Sequence, residues 1–235
     1  MTRVWHTAYI VAIACLLALL YDQERHPNPQ RFQEALLVHT KDYSTVRWLG
    51  VHVWQPVLDL WTLQETIAEV RPALLIECGT YEGGSSLFFA HLFDLMQHGR
   101  VITVDIEKLH DLSHPRITYL IGDCAGPKIV EQIRAEAAKA DGPVFVVLDS
   151  DHSAAHVAKE MAAYAPLVTP GSYLHVQDGV IDQVPSLQKK WGAGPLRAIE
   201  AFLPEHPEFE VDSARTTRFL FTHHPKGWLR RKPGG

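Results

Sequence analysis

Acidic residues stand at the carboxyl ends of five short apolar runs along the chain. The five acids are Glu77, Asp105, Asp123, Asp149 and Asp178. Each run has the length and composition of a buried β-strand. In an open parallel sheet, ligands bind at the carboxyl ends of the strands, near the point where the strand order reverses. The sequence therefore predicts one site, at one sheet edge, where carboxylates could bind polar ligand groups and take part in acid–base chemistry.

The first of these runs is followed by a glycine-rich segment, Glu77-Cys-Gly-Thr-Tyr-Glu-Gly-Gly-Ser85. Its glycines permit a tight turn and a close backbone approach to a ligand. Ser85 or Ser86 can cap the helix that begins there, and the N-terminal N–H groups of a helix favour an anion such as a carboxylate. Asp105 follows about 20 residues past the last glycine, where an acid could accept hydrogen bonds from ribose hydroxyls. A plain turn and a solvated strand-end acid are the alternatives.

The elements that must position these residues alternate along the chain. Five-residue strands separated by helices of ten to fifteen residues are typical of βαβ units and a parallel sheet buried on both faces. We predict one α/β domain over residues 41–235, preceded by a helical extension over residues 1–40. Predicted strands are Ala73–Cys78, Val101–Asp105, Ile117–Ile121, Val144–Asp149 and Tyr173–Val176, with two more at Phe209–Asp212 and Arg218–His223. Predicted helices are Asp59–Val70, Ser85–Gln97, Pro127–Ala140, Ser153–Ala165 and Pro195–Leu203.

Composition excludes several classes of protein. The chain has 235 residues, of which 46% are hydrophobic, and its net charge is −5. These values exclude a disordered chain and give no general attraction for nucleic acid. Three widely spaced cysteines, Cys15, Cys78 and Cys124, fit a reducing compartment and exclude a disulfide scaffold or a CxxC zinc site. Cys78 and Cys124 are expected to be packing residues.

The N-terminal extension contains an uncharged apolar run at Ala8–Tyr21, which extends back to Val4 with His6 and Thr7 included. This length is borderline for a membrane span. Three interpretations stay open, namely a membrane anchor, a helix buried against the domain or a sister subunit, and a cleaved signal. We expect a cytoplasmic homo-oligomer that residues 4–21 could attach to a membrane.

Several long segments resemble the cephalosporin hydroxylase family. Despite its name, this family is a group of class I S-adenosylmethionine-dependent methyltransferases, some of which act on natural products or sugar hydroxyls. The similarity runs from Trp48 to Arg230. It is carried by RWLGVHVWQPVLDLWTLQE, LLIECGTYEGGSSLFFA, VVLDSDHSAAHVAKEMAAYAPLVTPGSYLHVQD, WGAGPLRAIEAFL and FLFTHHPKGWLRR.

The resemblance implies a Rossmann-like, seven-stranded and mostly parallel sheet with helices on both faces and an antiparallel last strand. It places the amino-acid part of S-adenosylmethionine over the glycine-rich segment, the ribose on Asp105 and the adenine near Gly122, Asp123 and Cys124. The cofactor-binding residues expected on this basis are Glu77, Gly79, Tyr81, Ser85, Asp105, Ile106, Asp123 and Cys124.

The resemblance also implies a Mg²⁺ site. Better-studied relatives hold the ion with an Asp after the fourth strand and a Glu-Asp pair after the fifth, positions that here are Asp149, Gln177 and Asp178. Gln177 departs from this pattern, because an amide oxygen can coordinate a hard cation but supplies no charge. Nearby Asp151 is a candidate to compensate.

The predicted reaction is methyl transfer to a hydroxyl of a small molecule, a natural product or a sugar. Mg²⁺ bound by Asp149 and Asp178 could lower the pKa of that hydroxyl, or His152 could remove its proton. Paired zinc ligation by His152 and His156 is a weaker alternative. A segment around Pro185 and Trp191 is expected to cover the acceptor.

Two other functions stay open. A dinucleotide-dependent oxidoreductase also needs a glycine turn and a strand-end acid, although the turn here is not GxGxxG. A non-catalytic, membrane-anchored binding protein is the other alternative, and Gln177 and the apolar N-terminal run are the features that favour it.

Overall fold

The apolar runs form a seven-stranded sheet. The protein is described here from a computed structural model, which covers residues 12–18, 35–37, 41–219 and 221–234. The strands are β1 Arg47–Trp48, β2 Val51–His52, β3 Leu74–Cys78, β4 Arg100–Asp105, β5 Ile117–Ile121, β6 Val144–Leu148, β7 Tyr173–Val176, β8 Phe209–Val211 and β9 Trp228–Arg231. The helices are α1 Asp42–Thr45, α2 Val57–Val70, α3 Gly84–Met96, α4 Pro127–Ala137, α5 Ala154–Tyr164, α6 Pro185–Trp191, α7 Pro195–Phe202 and α8 Ser213–Thr216.

The strand order of the large sheet is β5-β4-β3-β6-β7-β9-β8. Strands β3 to β7 pair in parallel, and β9 is antiparallel to both of its neighbours. The chain moves outward from β3 to β5 and then returns to the other side of β3 at β6, so the order reverses between β3 and β6. This is the Rossmann-like, mostly parallel sheet that was predicted, and its ligand crevice is expected at this reversal.

Helices cover both faces of the sheet because successive strand residues point to opposite sides. Leu74 and Ile76 pack with α4, α5 and α7 in one buried cluster, to which Ile133, Met161 and Ile199 belong. Leu75 packs in a second cluster with α2 and α3, to which Leu63, Ile67, Phe89 and Phe93 belong. Both faces of β3 and β6 are buried along their whole length, which explains why these strands read as continuous apolar runs.

The prediction of a strand at Arg218–His223 is wrong. Residues 217–219 form a turn, and the last strand is β9, which lies between β7 and β8. The backbone of His223 is committed elsewhere, since its N–H donates to Oδ2 of Asp59 at 3.0 Å and its carbonyl accepts from the N–H of Val180 at 3.0 Å. A segment bound in this way to a side chain and a loop cannot join the ladder.

The segments on either side of the sheet are more ordered than the sequence suggested. The stretch before α2, where the sequence analysis predicted no helix or strand, contains α1 and an antiparallel hairpin of β1 and β2. The segment around Trp191, expected to cover the acceptor, contains α6.

Little of the N-terminal extension belongs to the described residues. Residues 12–18 are helical, and Ile13, Leu16 and Leu17 on that helix are exposed. The rest of the apolar run lies outside the described residues. Among the helices of the described ranges, none is both long enough and apolar enough to cross a membrane.

Candidate active site

The carboxyl ends of the parallel strands open into one cavity of about 870 Å³, within the size range of small-molecule sites. Its walls come from the segment before α2, the strand ends, α6 and the segment before β9. The strand-end and loop residues in the wall are Gly79, Tyr81, Asp105, Ile106, Glu107, Leu109, Asp123, Cys124, Asp149, Ser150, Asp151, His152 and Asp178. The predicted single site at this edge is therefore present as a cavity.

Two glycines that follow β3, one in the loop and one at the first position of α3, are required by the chain's own packing. Gly79 has φ +100°, and a Cβ there would lie 2.0 Å from the carbonyl oxygen of Asp149. A Cβ on Gly84 would lie 1.9 Å from the carbonyl oxygen of His52. The glycine loop thus lies against the loop after β6 on one side and against the β1–β2 hairpin on the other.

The acids after β4 and β5 are held by backbone N–H groups. Asp105 accepts from the N–H groups of Tyr81 and Ile106, both at 2.7 Å. Asp123 accepts from the N–H of Ala125 at 2.8 Å. We call this part of the cavity, with Gly79 and Cys124, the donor half, because the resemblance places the methyl donor S-adenosylmethionine there. Each carboxylate oxygen there retains a lone pair that could accept from a ligand hydroxyl or amine.

Glu77 and Ser85 lie outside the cavity wall. Glu77 is fully buried, accepts from the hydroxyl of Thr103 at 2.7 Å and from that of Ser86, and its burial raises the pKa of its carboxyl. Ser85 is buried at the start of α3. Direct contact of these two residues with a cofactor is therefore not supported. Glu77 instead links the end of β3 to β4 through Thr103 and to α3 through Ser86.

The acids after β6 and β7 are held by side chains. The Gln55 amide nitrogen donates to Oδ2 of Asp149 at 2.7 Å and also to Oε1 of Gln177. His152 Nε2 lies 3.3 Å from Oδ2 of Asp178. Asp149, His152 and Asp178 each bring one ligand atom within 4.8 Å of the other two. We call this part of the cavity the metal half, because Asp149 and Asp178, two of the three metal ligands that the resemblance implies, lie together there.

The electrostatics of the metal half favour a cation. Burial of the Asp149 carboxylate, and then the negative charge of Asp178, raise the pKa of Asp149 well above its usual value. The terminal amide atom of Gln177 that faces Asp149 is 3.1 and 3.0 Å from its two carboxylate oxygens. If this atom is the amide oxygen, it converges with the two carboxylate oxygens of Asp149, and such a set of oxygens suits a hard cation. If it is the amide nitrogen, it donates to the carboxylate of Asp149.

Comparison with known proteins identifies the family. The sequence model described as Rhamnosyl O-methyltransferase/CmcI matches residues 40–232. The chain belongs to this family. A rhamnosyl O-methyltransferase of Mycobacterium leprae (strain TN) is 40% identical over 196 residues, covering 81% of this chain and 85% of that protein. The rhamnosyl O-methyltransferase of Mycobacterium tuberculosis (strain ATCC 25618 / H37Rv) is 36% identical over 197 residues, covering 80% and 79%.

Solved structures agree in fold. A CmcI structure described as an Mg-SAM form has a TM-score of 0.63 and 21% identity, and it covers 81% of this chain and 78% of that chain. The family assignment confirms the predicted enzyme class, so the chain is an O-methyltransferase. Nothing in these comparisons supports the oxidoreductase or the non-catalytic scaffold that the sequence left open.

Two side-chain roles in this methyltransferase differ from the expectations. Asp151 accepts from the N–H of Ser153 at 2.7 Å, which lowers its pKa, and it is not among the three converging groups. His156 turns away from His152, with its Nε2 3.6 Å from Glu160 and 3.9 Å from Asp123, so the two histidines do not form a paired zinc site. A hydrogen bond with Glu160 raises the pKa of His156.

Cys78 and Cys124 are buried packing residues, as predicted. Burial raises the pKa of the Cys78 thiol well above its usual value, which makes it unreactive. His175 is likewise packed in its strand, against Trp228 with ring centroids 3.9 Å apart.

The remaining wall of the cavity is largely apolar. Trp191 is 52% exposed at its rim, with the ammonium of Lys190 4.6 Å above its ring. A buried cluster of apolar side chains forms the rest, and we call it the apolar wall. It consists of Leu37, Val180 and Val184, with Tyr43 and Leu187 packed against them.

The two ends of the loop that carries α6 are joined by hydrogen bonds to one carboxylate. Asp182 accepts from the N–H of Gly194 at 2.8 Å and from that of Arg197 at 3.3 Å. The N–H of Ala154 also donates to the carbonyl of Ala193 at 2.9 Å. These bonds anchor the loop to the starts of α5 and α7.

Gln55, Tyr43 and His223 are wall or support residues that the sequence analysis missed. They come from the segment before α2 and the segment before β9. Gln55 lies within a segment that carries the family resemblance, but nothing in its spacing links it to Asp149, which follows 94 residues later. Such a partner is found only when the fold brings the two together.

Proposed function

We propose that this methyltransferase transfers the methyl group of S-adenosylmethionine to a hydroxyl of a sugar, either free or attached to a natural product, with the assistance of Mg²⁺. The observation that carries the proposal is the contact between the glycine loop and the loop after β6, at Gly79 and Asp149, inside one cavity. This contact sets the donor half directly beside the metal half. The names of the relatives, rhamnosyl O-methyltransferases, support a deoxyhexose acceptor.

The donor half binds the methyl donor. Asp105 accepts from the ribose hydroxyls, and its orientation is already fixed by the N–H groups of Tyr81 and Ile106. Asp123 and Cys124 border the adenine, and the loop from Gly79 to Tyr81 lies along the amino-acid part. A site whose carboxylates are set before the ligand arrives loses little conformational entropy on binding.

The metal half fits Mg²⁺. Asp149, Asp178 and the amide oxygen of Gln177 would hold the ion, and CmcI has been solved in a form described as Mg-SAM. When bound, Mg²⁺ lowers the pKa of a coordinated hydroxyl and orients it. Gln55 positions two of the ligands, since its amide nitrogen contacts both Asp149 and Gln177.

His152 is the group that accepts the proton. The acceptor oxygen forms a bond to the methyl carbon while the bond from that carbon to sulfur breaks, which leaves S-adenosylhomocysteine. The hydroxyl proton passes to Nδ1 of His152, because Nε2 faces Oδ2 of Asp178 at 3.3 Å and carries the N–H that the carboxylate orients. Holding donor and acceptor in line supplies the rest of the acceleration.

Binding and turnover test this proposal together. We would titrate S-adenosylmethionine and Mg²⁺ into the full chain by calorimetry and then follow methyl transfer to p-nitrophenyl α-L-rhamnopyranoside. We expect donor binding without the metal and turnover only with it. No donor binding would contradict the proposal, whereas turnover unaffected by EDTA would remove the metal from it and leave His152.

We also infer that residues 1–40 attach the domain to a membrane or to a second copy of the chain in the cytoplasm. The exposed apolar residues of the 12–18 helix support this inference. Replacing Leu16 and Leu17 together by Glu should abolish vesicle flotation or lower the mass measured by light scattering. If the substitutions change neither property, residues 1–40 serve neither role.

A further inference from the structure

His223 is a polar residue set beside the apolar wall. It is only 2% exposed, it lines the cavity, and its ring lies 6.3 Å from that of Tyr43. Among the described residues, Nε2 of this ring has no hydrogen-bond partner. A buried nitrogen without a partner is costly in a folded protein, unless a ligand supplies the missing bond.

The position of the ring is fixed through the backbone. The N–H of His223 donates to Oδ2 of Asp59 at 3.0 Å, and its carbonyl accepts from Val180 at 3.0 Å. Asp59 is buried and also accepts from the hydroxyl of Thr222. The ring is therefore held in place without a hydrogen bond to Nε2, and this nitrogen stays available to a ligand.

The same segment adjoins the metal half. Nδ1 of His224 accepts from the N–H of Asp178 at 2.9 Å, so the residue beside His223 supports a predicted metal ligand. An acceptor whose reacting hydroxyl lies at Asp149, His152 and Asp178 would have the rest of its ring near the apolar wall and His223.

Burial without a partner does not by itself mark a ligand site, as His175 shows. Both ring nitrogens of His175 also lack partners, but this ring is stacked on Trp228 and is not part of the cavity wall. His223 differs because it lines the cavity in which the acceptor must bind.

We propose that His223 is a specificity-determining residue, whose ring nitrogen bonds a hydroxyl of the acceptor sugar other than the one that is methylated. A neutral imidazole can donate or accept, and so can a hydroxyl, so the pair is compatible in either tautomer. This inference rests on the proposed function, because it needs a sugar in the cavity.

The test uses the full chain and p-nitrophenyl α-L-rhamnopyranoside as the probe. His223→Leu removes the nitrogen and His223→Gln keeps a hydrogen-bonding group. We expect His223→Leu to raise the KM for the probe about tenfold, with a smaller rise for His223→Gln. The Kd for S-adenosylmethionine should stay unchanged in both. His206→Leu is the matched control, because His206 is paired with Glu208 at 3.0 Å and is not part of the cavity wall.

Deoxy analogues of the probe separate recognition from a general packing effect. The wild type should lose about tenfold in kcat/KM on the monodeoxy analogue that lacks the contacted hydroxyl, and His223→Leu should not distinguish that analogue from the parent. If His223→Leu does not fold, the same comparison is made with His223→Gln, which should discriminate less than the wild type. Equal discrimination by wild type and variant would overturn the inference and leave the proposed function intact. No turnover of the probe by the wild type would overturn both.

Discussion

The two halves of the cavity hold their carboxylates in different ways. In the donor half, Asp105 and Asp123 accept from backbone N–H groups, those of Tyr81 and Ile106 for Asp105 and that of Ala125 for Asp123. In the metal half, Asp149 depends on an amide from a distant part of the chain and faces the negative charge of Asp178. The carboxylates of the donor half are therefore hydrogen-bonded by the protein itself, whereas the proposed function implies that those of the metal half are stabilised fully only when a cation is bound.

This difference predicts which substitutions impair binding and which impair turnover. Carboxylates that accept from backbone N–H groups are oriented by the fold, so substitution of another side chain should not displace them. Carboxylates held by side chains and by a bound ion can lose one contact at a time through single substitutions, and the altered protein should still fold.

The largest effect is expected for Asp149→Asn. Loss of the charge should lower kcat by about 10³-fold, since metal and proton transfer both depend on this position. The Kd for S-adenosylmethionine should stay within about twofold, because the donor half is separate. In EDTA at pH 7 the variant should be at least as stable as the wild type, because a carboxyl with a raised pKa is unfavourable when charged. Turnover assays, calorimetry and thermal unfolding check these three outcomes.

Gly79→Ala tests the contact between the halves. Its Cβ would overlap the Asp149 carbonyl, so we expect unfolding to be easier by about 3 kcal/mol or more. Gly171→Ala is the control, since Gly171 also has positive φ, +84°, but no atom lies within 4 Å of its added Cβ. That variant should lose only about 1 kcal/mol from backbone strain. Equal losses in urea denaturation would show that the contact with Asp149 is unimportant.

The raised pKa of Asp149 gives the Mg²⁺ affinity a pH dependence. The ion needs the carboxylate, so below this pKa it must displace a proton, and the Kd should rise by up to about tenfold for each pH unit lowered. Above the pKa the affinity should level off. Calorimetry from pH 5 to 8 measures the slope, and Asp149→Asn should flatten it. A flat profile in the wild type would mean that Asp149 does not bind the ion.

Gln177→Glu should produce the smallest change, in the direction of tighter metal binding. A third carboxylate should lower the Kd for Mg²⁺ by about tenfold. In EDTA the same substitution should lower Tm, because the introduced carboxylate would place a further negative charge beside those of Asp149 and Asp178. Unchanged Mg²⁺ affinity would exclude position 177 from the coordination sphere.

The same contrast explains what the sequence could predict. Strand-end acids and the glycine loop were found because their signals are local, and β3 to β7 were placed correctly for the same reason. Gln55 and His223 were missed because their partners, Asp149 and Asp59, lie far away in the chain. The error at Arg218–His223 has the same origin, since Asp59 takes up the N–H on which a strand would depend. The role of the apolar run at Ala8–Tyr21, in a membrane or at an interface, stays a prediction.

The carboxylate of Asp182 has a consequence for how new acceptors could arise. It closes the loop that carries α6 at its base, through the N–H groups of Gly194 and Arg197. We therefore expect that residues between Asp182 and Gly194, Trp191 among them, can be exchanged or lengthened without disturbing the sheet. Such a loop would act as a replaceable module and would allow one catalytic framework to accept differently shaped sugars.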